Sequence, residues 1–141
     1  MQDEYDIQRL INTYSHYGSI GDWDRTLATY TEDGAWAIPH FGLRFEGHAA
    51  IRQALKDFFA GMDYVVQLNA PALIAITGDT ATALSNISEC GKVAGKDEGF
   101  QYLGYYDDRL VRTATGWKFA ERVFEGLGSS LFPLNSGLRH R

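Results

Sequence analysis

The stretch Gly104-Tyr105-Tyr106-Asp107-Asp108-Arg109-Leu110-Val111-Arg112, followed by Gly116-Trp117-Lys118-Phe119-Ala120-Glu121-Arg122, decides how this chain folds. Both runs carry the aromatic and branched residues of strands, and Ala114-Thr115-Gly116 between them is a turn signal. Upstream the period is helical. Ile7, Leu10, Ile11 and Tyr14 recur at i, i+3, i+4 and i+7, the apolar stripe of an amphipathic helix that Gly18 and Gly21 end. Asp22 or Asp24 caps a second helix whose inner face is Trp23, Leu27 and Tyr30, and Glu32-Asp33-Gly34 reads as a turn. Trp36 and Ile38 belong to a short strand, which Pro39-His40-Phe41-Gly42 reverses. Gly47-His48 opens a third helix burying Ile51, Leu55, Phe58 and Phe59, and extended segments follow over 65–76, 81–93, 100–112 and 117–124. Helices first and strands afterwards predict an α+β domain: three N-terminal helices packed on a strongly curved, mostly antiparallel mixed sheet, forming a cone with an internal pocket. The whole chain, 1–141, reads as that single domain, with 126–141 as a C-terminal tail.

Composition narrows the function. A chain of 141 residues buries roughly 70% of its extended surface, enough for a core without metal or disulfide staples. A net charge of −5 and a pI near 5.2 argue against nucleic acid, which needs clustered Lys and Arg; only Arg139-His140-Arg141 is locally basic. Cys90 is the single cysteine, so no internal disulfide can form. The acidic start Met1-Gln2-Asp3-Glu4 is unlike a secretory signal, and no apolar run approaches the ~20 residues of a membrane span. The expectation is a cytoplasmic protein with a small-molecule ligand, no nucleic-acid partner and no membrane partner. Leu131-Phe132-Pro133-Leu134, lying past the last expected strand, points to a homodimer or homotrimer in which apolar surface is covered.

Gly-Asp-Trp-Asp at 21–24, Glu-Asp-Gly-Ala-Trp at 32–36, Phe45-Glu46-Gly47 through Ile51, Gly78-Asp79-Thr80-Ala81, Tyr106-Asp107-Asp108-Arg109-Leu110 and Gly116-Trp117-Lys118-Phe119 occur in order over residues 5–125. This pattern resembles the SnoaL-like branch of the nuclear transport factor 2-like superfamily, which includes polyketide cyclases, scytalone dehydratase, steroid Δ-isomerase and hexachlorocyclohexane dehydrochlorinase. The resemblance implies the cone fold and cofactor-independent chemistry on a cyclic, largely apolar molecule. It also implies where an Asp–His dyad belongs, and those positions hold Ser19 and Val65, so the dyad is expected to be missing. Compared with the steroid isomerases, Tyr14 matches the oxyanion-hole tyrosine and Pro39 the residue after the catalytic Asp, whose own place is taken by Ile38. An Asp–Arg–Asp set of the limonene epoxide hydrolase kind is not placed.

Several residues remain as candidates. Tyr14 is either a donor to a ligand oxyanion or a core tyrosine satisfied locally. Glu89 shares a strand face with Ala83, Ser85 and Ile87, which by resemblance lines the cavity; there it would act as a general acid or base. The plainer alternative, favoured by the neighbouring Gly91 loop, is a glutamate reaching solvent. His40, after the first strand, is a base if it swings inward and otherwise a solvated histidine. Tyr106 aligns with a pocket-facing aromatic of the dehydrochlorinases, and Arg122 lies on the strand where relatives place a residue beside the substrate. Arg122 would pair with Glu89 or a ligand anion if buried, and with Glu121 if exposed. Ser19, Trp36, Ile38, Val65, Ile87, Tyr106 and Arg122 are thus the expected substrate-binding residues, with Tyr14, Glu89 and His40 as catalytic candidates. Asp107 and Asp108 point to opposite faces and are expected to pair with Arg109 or Arg112. No ligand spacing indicates a metal, and no phosphate loop or dinucleotide fingerprint indicates a cofactor.

The sequence therefore predicts a cofactor-independent lyase or isomerase. A non-catalytic binding protein of the same fold and an assembly subunit are the alternatives. An enzyme should enclose ~300 Å³ or more with converging polar groups, whereas a scaffold should have a filled cone.

Overall fold

The structure, a computed structural model, describes residues 1–135. Helix α1 (Gln2–Ser19) presents Ile7, Ile11 and Tyr14 to the core at the expected spacing, and Ser15 is buried beside them. Helix α2 (Trp23–Leu27) starts at Asp22, whose carboxylate accepts from the Arg25 N–H, so Asp22 is the cap. Strand β1 (Tyr30–Ile38) and β2 (Leu43–Glu46) flank a 3₁₀ turn at Pro39–Phe41, which Gly42 closes with a φ of 67°. Helix α3 (His48–Ala60) buries Ile51, Ala54 and Leu55, and half-buries Phe58 and Phe59. The strands β3 (Met62–Asn69), β4 (Leu73–Thr77), β5 (Thr80–Val93), β6 (Glu98–Thr113) and β7 (Gly116–Pro133) complete the chain.

One seven-stranded sheet runs β2-β1-β7-β6-β5-β3, with β4 also paired to β5. All pairs are antiparallel except β1 with β7, so the sheet is mixed, and it bends over the three helices without closing. Along β5, Ala81, Ala83, Ser85 and Ile87 are buried while Thr82, Leu84 and Asn86 are exposed, which defines a concave and a convex face. The core gathers Ile7, Ile11, Leu27, Ile51, Leu110 and Phe119 between helices and concave face. No described helix is long and apolar enough to cross a membrane.

Several boundaries differ from the sequence expectation, the first at Tyr30, which opens β1 instead of extending the second helix, since α2 ends at Leu27. Glu32-Asp33-Gly34 is not a turn but lies inside β1, where the register with β7 slips between Tyr30 and Ala35. The irregularity absorbs the turn-like residues, and Gly34 is needed there because a Cβ would stand 3.0 Å from the Thr31 carbonyl. The segment 65–76 is two strands, not one. Pro71 cannot donate a ladder hydrogen bond, and the chain leaves β5 at Ala70 and returns at Leu73. Finally, residues from Gly126 to Pro133 are strand rather than tail: β7 continues against β6 from Gly126↔Gly104 to Pro133↔Glu98 after a register shift. Residues 136–141 of the expected tail lie outside the described residues.

Candidate functional site

The concave face and the helices enclose a cavity of about 90 Å³. Its walls are mainly aromatic. Trp36 comes from β1, Phe58 and Phe59 from α3, Tyr102 and Tyr106 from β6, and Phe124 from β7. These side chains project inward and keep the volume below the ~300 Å³ expected for an enzyme of this class. The cone is neither filled nor roomy. Its size suits a single ring.

Polar groups enter from three elements. Tyr14 reaches in from the last turns of α1, with its ring edge-on to those of Tyr30 and Tyr106 at centroid distances of 5.9 and 6.1 Å. Burial raises the Tyr14 hydroxyl pKa from its ordinary value, against a lowering pull from the Arg122 charge, and raises that of Tyr106 further. Both phenols therefore stay protonated, and the Tyr14 hydroxyl interacts with that of Tyr106. Gln67 of β3 and Glu89 of β5 are register partners, and Gln67 Nε2 donates to Glu89 Oε2 at 3.4 Å. Glu89 in turn is the register partner of Tyr102 on β6, so Gln67, Glu89 and Tyr102 form a row across the concave face.

Glu89 lines the cavity and does not stand free at the strand end, as the plainer sequence reading had it. It keeps intermediate exposure, and that exposure is to the cavity it lines. Desolvation raises its pKa above the ordinary carboxylate value, and the bond from Gln67 opposes the rise. No other carboxylate and no cationic side chain lines this cavity among the described residues.

Of the expected substrate-binding residues, Ser19, Trp36, Ile38, Val65 and Tyr106 line the cavity. Ser19, however, spends its hydroxyl on structure, donating to the Ser15 carbonyl at 2.7 Å and accepting from the Gln67 N–H at 2.9 Å. Ile87 is on the same face as Glu89 but packed in the core, outside the cavity lining. His40 is exposed and does not line the cavity. Its ring packs on Phe41, with centroids 4.2 Å apart, in the space that a side chain at Gly126 would need.

Arg122 is a clearer correction. It pairs with neither Glu89 nor Glu121 and faces no ligand. It is fully buried, with Nε and Nη2 donating to Asp108 Oδ1 and Oδ2 at 2.7 and 3.0 Å. Its guanidinium carbon stands 3.8 Å from the Tyr106 ring centroid, 4.2 Å from Phe119 and 4.4 Å from Tyr14. Burial alone would lower the Arg122 pKa, but the Asp108 charge and hydrogen bonds, together with Tyr106 and Tyr14, outweigh it and raise the value. The cation lies behind the two tyrosines, not in the cavity. Asp108 accordingly does not pair with Arg109 or Arg112; those bond Glu121, and Asp3 with Asp79, respectively.

Gln67, Tyr102 and the partner of Arg122 escaped the sequence analysis. Alternation from Val65 puts Gln67 on the inner face, the register of β5 against β6 sets Tyr102 beside Glu89, and that of β6 against β7 sets Asp108 beside Arg122. Only register, not residue type, marks them.

The fold and its polar-tipped aromatic cavity define a cone-shaped α+β domain of the nuclear transport factor 2-like kind. The chain belongs to the SnoaL-like domain family, whose sequence profile matches residues 1–123. It is similar in structure to a provisionally named aromatic ring hydroxylase from Novosphingobium aromaticivorans. That match has a TM-score of 0.84 and 27% identity, covering 94% of this chain and 93% of the other. A provisionally named scytalone dehydratase from the same organism matches with a TM-score of 0.83 at 18% identity, covering 96% and 94%. A type 2 hexachlorocyclohexane dehydrochlorinase matches with a TM-score of 0.80 at 14% identity, covering 94% and 88%. At that identity the last two share the fold alone. No sequence among the curated proteins matches this chain.

Proposed function

We propose that this protein is a cofactor-independent lyase or isomerase acting on a single-ring, largely apolar and uncharged molecule. One observation carries the reading. Among the described residues Glu89 is the one carboxylate lining an aromatic cavity, burial raises its pKa above the ordinary carboxylate value, and the Tyr14 and Tyr106 phenols share the same walls. A carboxyl group held in that setting can take or return a proton from a bound ring, while the phenols donate to an oxygen on which negative charge develops. The route differs from an Asp–His dyad, whose places here are held by Ser19 and Val65, and it assigns no role to His40. An anionic ligand is disfavoured, because Arg122 is already matched by Asp108 and no cationic side chain among the described residues lines the cavity. A ring ligand is also in keeping with the name of the N. aromaticivorans neighbour that shares 27% identity.

The test is proton exchange. Cyclohexanone in D₂O is followed by ¹H NMR with the wild-type protein, Glu89→Gln and Tyr14→Phe. Accelerated loss of the α-proton signal that disappears in Glu89→Gln supports the reading. Exchange equal in wild type and Glu89→Gln removes Glu89 from the chemistry. A cavity that binds ring ligands without any such exchange supports a binding protein instead, and its open volume speaks against a scaffold with a filled cone.

A further inference from the structure

We propose that Gln67 is the positioning residue for Glu89: its side-chain amide, oriented by Ser15, holds one carboxylate oxygen and leaves the other turned to the cavity. Gln67 and Glu89 face each other across β3 and β5, so their side chains rise together from the concave face. A side-chain amide can present either end to a carboxyl group, and only the NH₂ end suits an ionised one. Ser15 decides which end it is. Its hydroxyl accepts from Asn69 Nδ2 at 2.5 Å, and its single proton goes to Gln67 Oε1 at 3.0 Å. With the carbonyl end held by Ser15, the NH₂ end points at Glu89 Oε2, 3.4 Å away.

The backbone of Gln67 is tied down as well. β3 is an edge strand, and the Gln67 N–H on its open side donates to Ser19 Oγ, one helical turn beyond Ser15 on α1. Ser15 and Ser19 thus grip one residue from a single helix face, one by its side chain and one by its main chain. Docking α1 onto β3 explains the main-chain bond. It does not explain a side chain turned back into the cavity toward Glu89.

Nothing else around Glu89 substitutes for this amide. From β6 come Tyr102 and Tyr106, and from α1 comes Tyr14; the Arg122 charge stands behind the tyrosine rings and is matched by Asp108. From α3 come only Leu55, Phe58 and Phe59. Among the described residues Gln67 is therefore the one amide donor that reaches the carboxyl group, and it selects Oε2 as the held oxygen and Oε1 as the one that exchanges a proton.

The inference rests on the proposed proton-transfer role of Glu89, yet it is decided by a different measurement. The full chain, labelled with ¹³C-glutamate, is titrated by NMR as wild type, Gln67→Met and Ser15→Ala, with Glu89→Gln assigning the Glu89 side-chain carbon. Losing a donor to the ionised form makes Glu89 a weaker acid, by about threefold or more in Gln67→Met, and shifts it in the same direction in Ser15→Ala. An unmoved Glu89 midpoint in a folded Gln67→Met overturns the proposal. Should that variant fail to fold, Ser15→Ala carries the same titration with no substitution in β3, and an unmoved midpoint there overturns it equally. Proton exchange on cyclohexanone that survives in Glu89→Gln would remove the catalytic reading alone, and the titration would still stand.

Discussion

Arg122 of β7 and Asp108 of β6 are direct register partners, and they meet through two parallel hydrogen bonds in a site where neither has any solvent exposure. Three aromatic rings surround the guanidinium, so the pair forms the floor on which Tyr14 and Tyr106 rest. Arg122 Nη1 is left without a hydrogen-bond partner among the described residues, as are Ser85 Oγ and Tyr30 Oη.

Breaking that pair should cost far more than removing it. Asp108→Asn or Arg122→Met strands one buried polar group, with an expected loss of about 3–5 kcal/mol for leaving a charge unpaired. The double variant Asp108→Leu/Arg122→Met should recover much of the loss. Urea unfolding of the three variants reads this directly; a double variant as unstable as the sum of the singles would show the pair contributes nothing as a unit.

Glu89 should make stability fall with rising pH. Its folded-state pKa is raised by burial, so the stabilising neutral form is fully present below the unfolded value and is lost as pH climbs through the folded one. Glu89→Gln removes this dependence. Its melting temperature is expected to match the wild type at pH 4 and to exceed it at pH 8. Parallel curves across that range would mean that Glu89 is not desolvated.

Asp3 should act in the opposite sense. Bonds from Arg112 and Trp117 lower its pKa to about 2, so its contribution is present above the ordinary carboxylate range and is lost as pH falls from there toward 2. Asp3→Ala should melt earlier than wild type at pH 7, and the gap should close at pH 2. This contact ties the first turn of α1 to the β6–β7 hairpin.

The layout of the cone was legible from periodicity, because helix and strand spacings leave different apolar patterns and Tyr14, Trp36, Val65 and Tyr106 all fall on inner faces. Glu89 was placed on the correct face by counting alternately from Ala83. What periodicity does not carry is partner choice. Arg122 and Asp108 lie 14 residues apart, and only the β6–β7 register makes them neighbours. The full extent of β7 was hidden for a related reason: Gly126, Gly128, Ser129 and Ser130 have low strand propensity, and it is pairing with β6 that holds them extended. His40 illustrates a third limit, since the direction of a side chain in a short turn depends on a gap opposite it, here at Gly126.

Charge should sort the ligands. Benzyl alcohol and benzoate share a ring and differ in charge, and the Trp36 indole N–H, buried without a hydrogen-bond partner among the described residues, reports on the cavity wall. Benzyl alcohol is expected to shift the Trp36 indole resonance and benzoate to leave it unmoved, because Glu89 repels an anion and no cation offsets it. Benzoate binding as well as the alcohol would contradict the uncharged-ligand reading.

The convex face carries exposed Leu84 and Leu103, with Val66 and Leu68 on the neighbouring edge strand. Such a surface is expected to be covered by a second copy of the chain. Light scattering should give a mass above one chain for the wild type and a smaller one for Leu84→Lys/Leu103→Lys.

The place of β7 in the sheet has a consequence for how the chain acquires its shape. The last strand is inserted between β1 and β6, and it supplies every ladder contact that joins the β1–β2 hairpin to the rest of the sheet. Until Gly116 onward has left the ribosome, the early and late strands are two unconnected pieces, and the helices have only part of a floor to rest on. Closing that gap pairs Tyr30 with Phe119 across most of the chain, a connection of high contact order that is slow to form. Assembly of the cone therefore waits on its last strand, and the aromatic wall to which β1 and β7 contribute Trp36 and Phe124 is completed only when that strand is in place.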